Sequence, residues 1–97
     1  MNRSTILKLL TDHLPEVRAR YGVERLALFG SAARDELRAD SDIDVLVEFE
    51  GRTTYDRYFE LRTYLEQLFG RKVDLVTDKG LKPRARRHVE KDLIRVA

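Results

Sequence analysis

Leu26-Ala27-Leu28-Phe29-Gly30-Ser31-Ala32-Ala33-Arg34, followed by Ser41-Asp42-Ile43-Asp44-Val45-Leu46-Val47, is the part of this chain that decides its architecture. The first four residues are apolar and stop at a Gly-Ser pair. Eleven residues beyond Ser31 comes Asp42, then Asp44, then a second apolar run. The order is strand, glycine turn, short connector, strand, with two carboxylates where the second strand begins. Side chains two apart on a strand share a face. Asp42 and Asp44 therefore point the same way, about 6.5–7 Å apart at the backbone for a rise of ~3.3 Å per residue. Carboxylates so spaced can lean together to hold two divalent ions about 3.5–4 Å apart, the arrangement that clamps an in-line phosphoryl displacement. Ile43, Val45 and Val47 then face the other way, into the core.

The residues around this pair fit a bound nucleotide. Gly30-Ser31-Ala32-Ala33 is small enough to let backbone approach a ligand closely, and a short helix over residues 31–37 would turn its first amides toward the site. Helix N-termini and turn amides cradle phosphates. The Ser31 hydroxyl can add a hydrogen bond to a phosphate oxygen, and the planar fork of Arg34 suits a triphosphate. Further along, Asp74 stands between Val73 and Leu75 in a short apolar run. A carboxylate there needs a partner, because partial burial of an unpaired charge is costly.

Gly30-Ser31, Arg34 and Ser41-Asp42-Ile43-Asp44 resemble the signature of the DNA polymerase β-like nucleotidyltransferases, and in particular of their smallest members, the minimal nucleotidyltransferases. The likeness extends to Tyr21-Gly22-Val23 after a leading helix, to Val73-Asp74-Leu75-Val76, and to Leu81-Lys82-Pro83 before a closing helix. One position departs: Asp35 stands where the family usually has Gly, and a positive φ there suits Asp less well than Gly. The resemblance implies Asp42, Asp44 and Asp74 as catalytic, metal-holding carboxylates and Gly30, Ser31 and Arg34 as nucleotide contacts. It implies two Mg²⁺ ions and ATP as substrate, an acceptor hydroxyl attacking the α-phosphate, and Asp74 or solvent taking its proton. It further implies an antitoxin that transfers AMP to a tyrosine of a HEPN-domain ribonuclease toxin. Two other roles leave the same residues explained: a non-catalytic module that blocks a partner by contact, or a nucleotidyltransferase subunit whose small-molecule acceptor is held by a second chain.

Length and composition set the bounds. Ninety-seven residues are expected to form a single domain over 1–97. A 42% hydrophobic and 37% charged composition describes a compact folded chain. No apolar run reaches membrane-spanning length and no signal-peptide pattern opens the chain. With no cysteine, thiolate metal sites and disulfides are excluded, which suits the cytoplasm. A net charge of +2 is too small to imply nucleic-acid binding by itself, so none is expected, and neither a P-loop nor a Rossmann glycine motif is present.

The remaining patterning predicts a mixed α/β chain, α-β-α-β-α-β-α, with helices packed on a small sheet. Ile6, Leu10, Leu14, Val17 and Tyr21 form one helical face, with Ser4 as cap and a kink or break at Pro15. Strands are expected at 24–29, 42–49 and 72–77. Tyr58, Leu61, Leu65 and Leu68 stripe a helix that starts at Thr53 or Thr54 and stops at Gly70. A last helix from Pro83 is expected to bury Ala85, Val89 and Leu93. The basic cluster at Lys79, Lys82, Arg84, Arg86, Arg87 and His88 lacks aromatic neighbours and reads as a solvated face.

Overall fold

The computed structural model describes residues 1–97. Its elements are α1 (Arg3–Tyr21), β1 (Val23–Phe29), the single turn α2 (Gly30–Ala33), β2 (Ile43–Phe49), α3 (Tyr55–Phe69), β3 (Val73–Thr77), a 3₁₀ turn (Asp78–Gly80), α4 (Pro83–Glu90) and β4 (Ile94–Arg95). The strands form one mixed sheet in the order β3-β2-β1-β4. β1 runs antiparallel to both β2 and β4, whereas β2 and β3 are parallel. A parallel pair cannot be joined by a tight turn, so α3 carries the chain across.

Period-two alternation sorts the sheet into two faces. Leu26 and Leu28 of β1, Ile43, Val45 and Val47 of β2, and Val73 and Leu75 of β3 join the core with Ile6, Leu10 and Val17 of α1 and Leu61 and Leu65 of α3. α1 and α3 therefore lie together on that face. Ala27 and Val89 are buried but stand outside this core and line a pocket with Leu46, which puts α4 over the opposite face.

α1 is unbroken through Pro15, so the expected split into two helices does not occur. Pro15 is exposed, so the carbonyl it leaves unpaired one turn back faces water, while the apolar stripe anchors the helix on both sides of it. Its cap is Asn2, whose side chain accepts from the Thr5 amide at 2.9 Å, rather than Ser4. Thr54 caps α3 through the Arg57 amide. Arg57 itself ties two chain turns together: its guanidinium donates to the carbonyls of Tyr21, Gly22, Glu50 and Arg52 while stacking on Phe49.

The C-terminus departs most from expectation. α4 stops at Glu90, Ala85 is exposed, and Leu93 lies beyond the helix. The chain turns through Asp92 and adds β4, with Val96 and Ala97 donating their amides to the Leu26 carbonyl. This covers part of the β1 edge that would otherwise be open. No helix is long and apolar enough to cross a membrane.

Candidate active site

The sheet brings the predicted carboxylates together by register. Asp44, second in β2, pairs across the parallel ladder with Asp74, second in β3. Neighbouring strands lie about 4.8 Å apart, and residues in register on parallel strands project to the same face. The two carboxyl groups come within hydrogen-bonding reach of each other, and Asp42, exposed just before β2, adds its charge nearby. Asp44 is pushed up to about 6, first by burial, then by the charges of Asp74 and Asp42 and by its hydrogen-bonding reach to Asp74; Arg34 draws it partly back. Asp74 itself is exposed on the edge strand.

Gly30 lies directly beside this pair. Phe29 ends β1 opposite Asp44, and the chain leaves it through Gly30 at φ +70°. A Cβ at Gly30 would overlap the Asp44 carboxylate. Both the left-handed backbone and the lack of space demand glycine here. Ser31 follows, half-buried, in a helix of only four residues. The expected helix to Leu37 is cut short because Asp35 adopts φ +60° and turns the chain. One turn still leaves its first amides without partners inside the helix.

Asp35 is the one non-glycine residue with positive φ, and its carboxylate accepts the backbone amide of Arg3 at 3.0 Å. The Arg3 side chain returns to the Ala33 carbonyl. The acidic group at the family's glycine position is thus spent on the start of α1, where a negative charge is favoured. Arg34 is held as well: it donates to Asp92 at 2.7 Å and to Glu36 at 3.4 Å, which raises its pKa, the Asp92 bond contributing most.

Arg71 was not singled out by its sequence. Its guanidinium bonds the carbonyls of Arg38 and Ser41, clamping the connector that delivers Asp42. Ser41 closes the same connector by accepting from the Arg38 amide. Glu66 accepts the Val73 amide at 3.1 Å and so fixes the residue before Asp74. These contacts join residues 30 or more positions apart in the first case, which no local pattern reports.

The donor set is all carboxylate oxygen, the type that hard divalent cations prefer. As they stand, the side chains do not converge three at a time on one cation position. The Asp44–Asp74 pair nevertheless fits such an ion: two carboxyl groups within hydrogen-bonding reach, with a third charge alongside, repel one another unless a proton or a cation lies among them.

Residues 10–96 match the family model described as a nucleotidyltransferase domain. The protein adenylyltransferase MntA of Thermococcus cleftensis is 41% identical over 91 residues, which cover 94% of this chain and 92% of that protein. A solved structure described as a candidate minimal nucleotidyltransferase is similar with a TM-score of 0.81 and 40% identity, over 97% of this chain and 95% of that one. A chain in the complex of a tri-AMPylated Shewanella oneidensis HEPN toxin with its MNT antitoxin is similar at TM-score 0.68 and 18% identity, covering 94% and 71% of the two chains. That last likeness concerns the fold.

Proposed function

This chain belongs to the nucleotidyltransferase domain family, among the minimal nucleotidyltransferases of the polymerase β-like superfamily, and from that premise we propose that it moves AMP from ATP to a tyrosine hydroxyl of a HEPN-type toxin, as that toxin's antitoxin. The observation that carries this reading is the in-register Asp44–Asp74 pair, with Asp42 beside it and Gly30 packed against it. We take residues 1–97 as the single domain that performs the reaction.

In this reading Asp42, Asp44 and Asp74 hold Mg²⁺, two ions in the fullest form of the site. When bound, the metal supplies charge stabilisation at the phosphoryl oxygens. The chain's own residues do the rest. Gly30 and the Ser31 amide and hydroxyl hold the phosphates, and the missing Cβ at position 30 leaves the Asp44 carboxylate in place beside them. Arg34 exchanges Asp92 for a phosphate oxygen, a planar fork suited to either. Asp74, exposed at the sheet edge, accepts the proton of the attacking hydroxyl or passes it to solvent. The new bond joins the acceptor oxygen to the α-phosphorus; the bond to the bridging oxygen breaks and pyrophosphate leaves.

The partner class rests on the resemblance to the minimal nucleotidyltransferases carried by Gly30-Ser31, Arg34 and Ser41-Asp42-Ile43-Asp44. The curated relative covered almost end to end is a protein adenylyltransferase, which points to a protein acceptor. Intact mass spectrometry of a co-expressed HEPN partner, before and after Mg²⁺ and ATP, is the test. A gain of one or more AMP masses that is lost with Asp42→Asn supports the reading. A partner bound and silenced with no mass change overturns it.

A further inference from the structure

A second feature adjoins the carboxylates, on the side away from Gly30-Ser31. β1 carries the Gly-Ser turn to one flank of β2, and β3 occupies the other flank and the sheet edge. At that edge lies an open pocket of about 760 Å³, lined among others by Asp42, Arg62, Glu66, Arg71, Lys72 and Asp74. It is of the size that admits a small ligand or a few side chains.

The charges in this pocket are unevenly committed. Glu66 is taken by the Val73 amide, and Asp42 and Asp74 belong to the carboxylate set. The three cations have no carboxylate partner, because none of the chain's ion pairs includes Arg62, Arg71 or Lys72. Arg71 is spent on two carbonyls. Lys72 is exposed. Arg62 is the most telling: its Nε is buried without a hydrogen-bond partner, while its guanidinium is held over the Phe59 ring at 5.0 Å. That Nε is closed to an incoming group, so the terminal guanidinium nitrogens, which make no hydrogen bond or ion pair within the chain, are what Arg62 offers a carboxylate.

We infer that this pocket docks the segment that carries the acceptor hydroxyl, and that the segment is acidic, its carboxylates pairing with Arg62 and Lys72. The inference rests on the nucleotidyl-transfer reading above and adds the acceptor's side of entry and its chemistry. In an in-line displacement the attacking oxygen and the leaving pyrophosphate lie on opposite sides of the phosphorus. With the phosphates on the Gly30-Ser31 flank, the hydroxyl arrives over β3, where the pocket opens. The Arg62 fork matches a carboxylate geometrically, and Lys72 steers it as an exposed point charge. Asp42 and Asp74 offset these cations until a divalent ion neutralises them, so acceptor docking strengthens when Mg²⁺ is bound.

Two labelled pentapeptides test this, a tyrosine flanked by glutamates and the same tyrosine flanked by lysines, followed by fluorescence anisotropy with Mg²⁺ and a non-hydrolysable ATP analogue. The acidic peptide binds about tenfold more tightly than the basic one, and Lys72→Glu and Arg62→Gln each remove most of that preference, as loss of a close charge pair does. Omitting Mg²⁺ weakens the acidic peptide. Calorimetric affinity for Mg²⁺ with the analogue stays unchanged in both variants, and thermal melts confirm their folding. Equal or tighter binding of the basic peptide overturns the inference. So does a loss of analogue affinity in Lys72→Glu, which assigns the pocket to the nucleotide. Absence of analogue binding in the parent chain strikes the nucleotidyl-transfer reading instead, and leaves the peptide preference to be scored by itself.

Discussion

On β2, Ile43, Val45 and Val47 are wholly buried, at 0% exposure, while Asp44 and Glu48 between and after them reach the opposite face only half covered. The two faces have opposite effects on the same strand. The apolar face contributes stability in proportion to area removed from water. The polar face brings Asp44 and Asp74 into register at a cost in repulsion. The difference teaches how a charged site is kept rigid. Asp44 and Asp74 each sit between two residues locked in the core, so Asp44 cannot move without moving Ile43 and Val45.

The widest separation between the faces is expected from adjacent residues. Ile43→Ala should lower stability by about 2–5 kcal/mol, read from the denaturant midpoint, with transfer per folded molecule little changed. Asp42→Asn should leave that midpoint where it is and reduce AMP transfer at least ~100-fold, beyond the usual cost of losing an outer-shell partner. If both substitutions weakened stability alike, the division between faces would fail.

Gly30→Ala tests the seam between the faces. The left-handed backbone alone costs about 1–2 kcal/mol for a residue with a Cβ, and the displaced Asp44 carboxylate should remove Mg²⁺-dependent nucleotide binding as well. Calorimetry against ATP with and without Mg²⁺ reads this; an intact nucleotide affinity would show that Asp44 tolerates displacement.

Protons report the burial of Asp44 and, after it, the charges of Asp74 and Asp42. In its folded state Asp44 titrates near 6, above the ordinary 3.8 of an unfolded aspartate. The folded chain therefore holds a proton that the unfolded chain has lost between these values. The contribution is complete below the unfolded value and is lost as pH rises through about 6. In EDTA the melting temperature of the parent should fall relative to Asp44→Asn as pH climbs through this window. At pH 7 the variant should be the more stable by about 1 kcal/mol, after discounting for a half-exposed group. A pH-independent difference would show that neither burial nor the neighbouring carboxylates raise Asp44.

The smallest effect belongs to Asp35. Asp35→Gly relieves a positive φ but gives up the bond from the Arg3 amide, and each is worth about 1 kcal/mol, so the net change should stay within about 0.5 kcal/mol. Asp35→Ala, which loses the bond and keeps the strain, should be clearly worse. Near-equal melts for Ala and Gly would remove the capping role.

Several features were legible because they are local. Alternation placed β1, β2 and β3 within a residue of their observed bounds, and Gly22, Gly70 and Pro83 end or begin helices as expected. The short spacing of Asp42 and Asp44, with Gly30-Ser31 upstream, marks the candidate site from neighbouring residues alone. Pro15 and the end of α4 misled for a common reason. Propensity gives a position a bias of at most a few kcal/mol, and tertiary burial of the surrounding stripe decides the outcome. The terminal Leu93-Ile94-Arg95-Val96 run continues a helical pattern equally well, and only the open edge of β1 makes it a strand.

What the amino-acid sequence determined by itself is therefore the α/β class, the strands and the carboxylates, since period-two alternation, glycine turns and motif spacing act between neighbours along the chain. Tertiary structure alone decided the order β3-β2-β1-β4, the pairing of Asp44 with Asp74, the capture of Arg34 by Asp92 and of Asp35 by α1, and the grouping of Arg62 and Lys72 beside Asp74. Each of these joins residues far apart in the chain, and such contacts form only once hydrophobic packing has offset the entropy of bringing distant segments together.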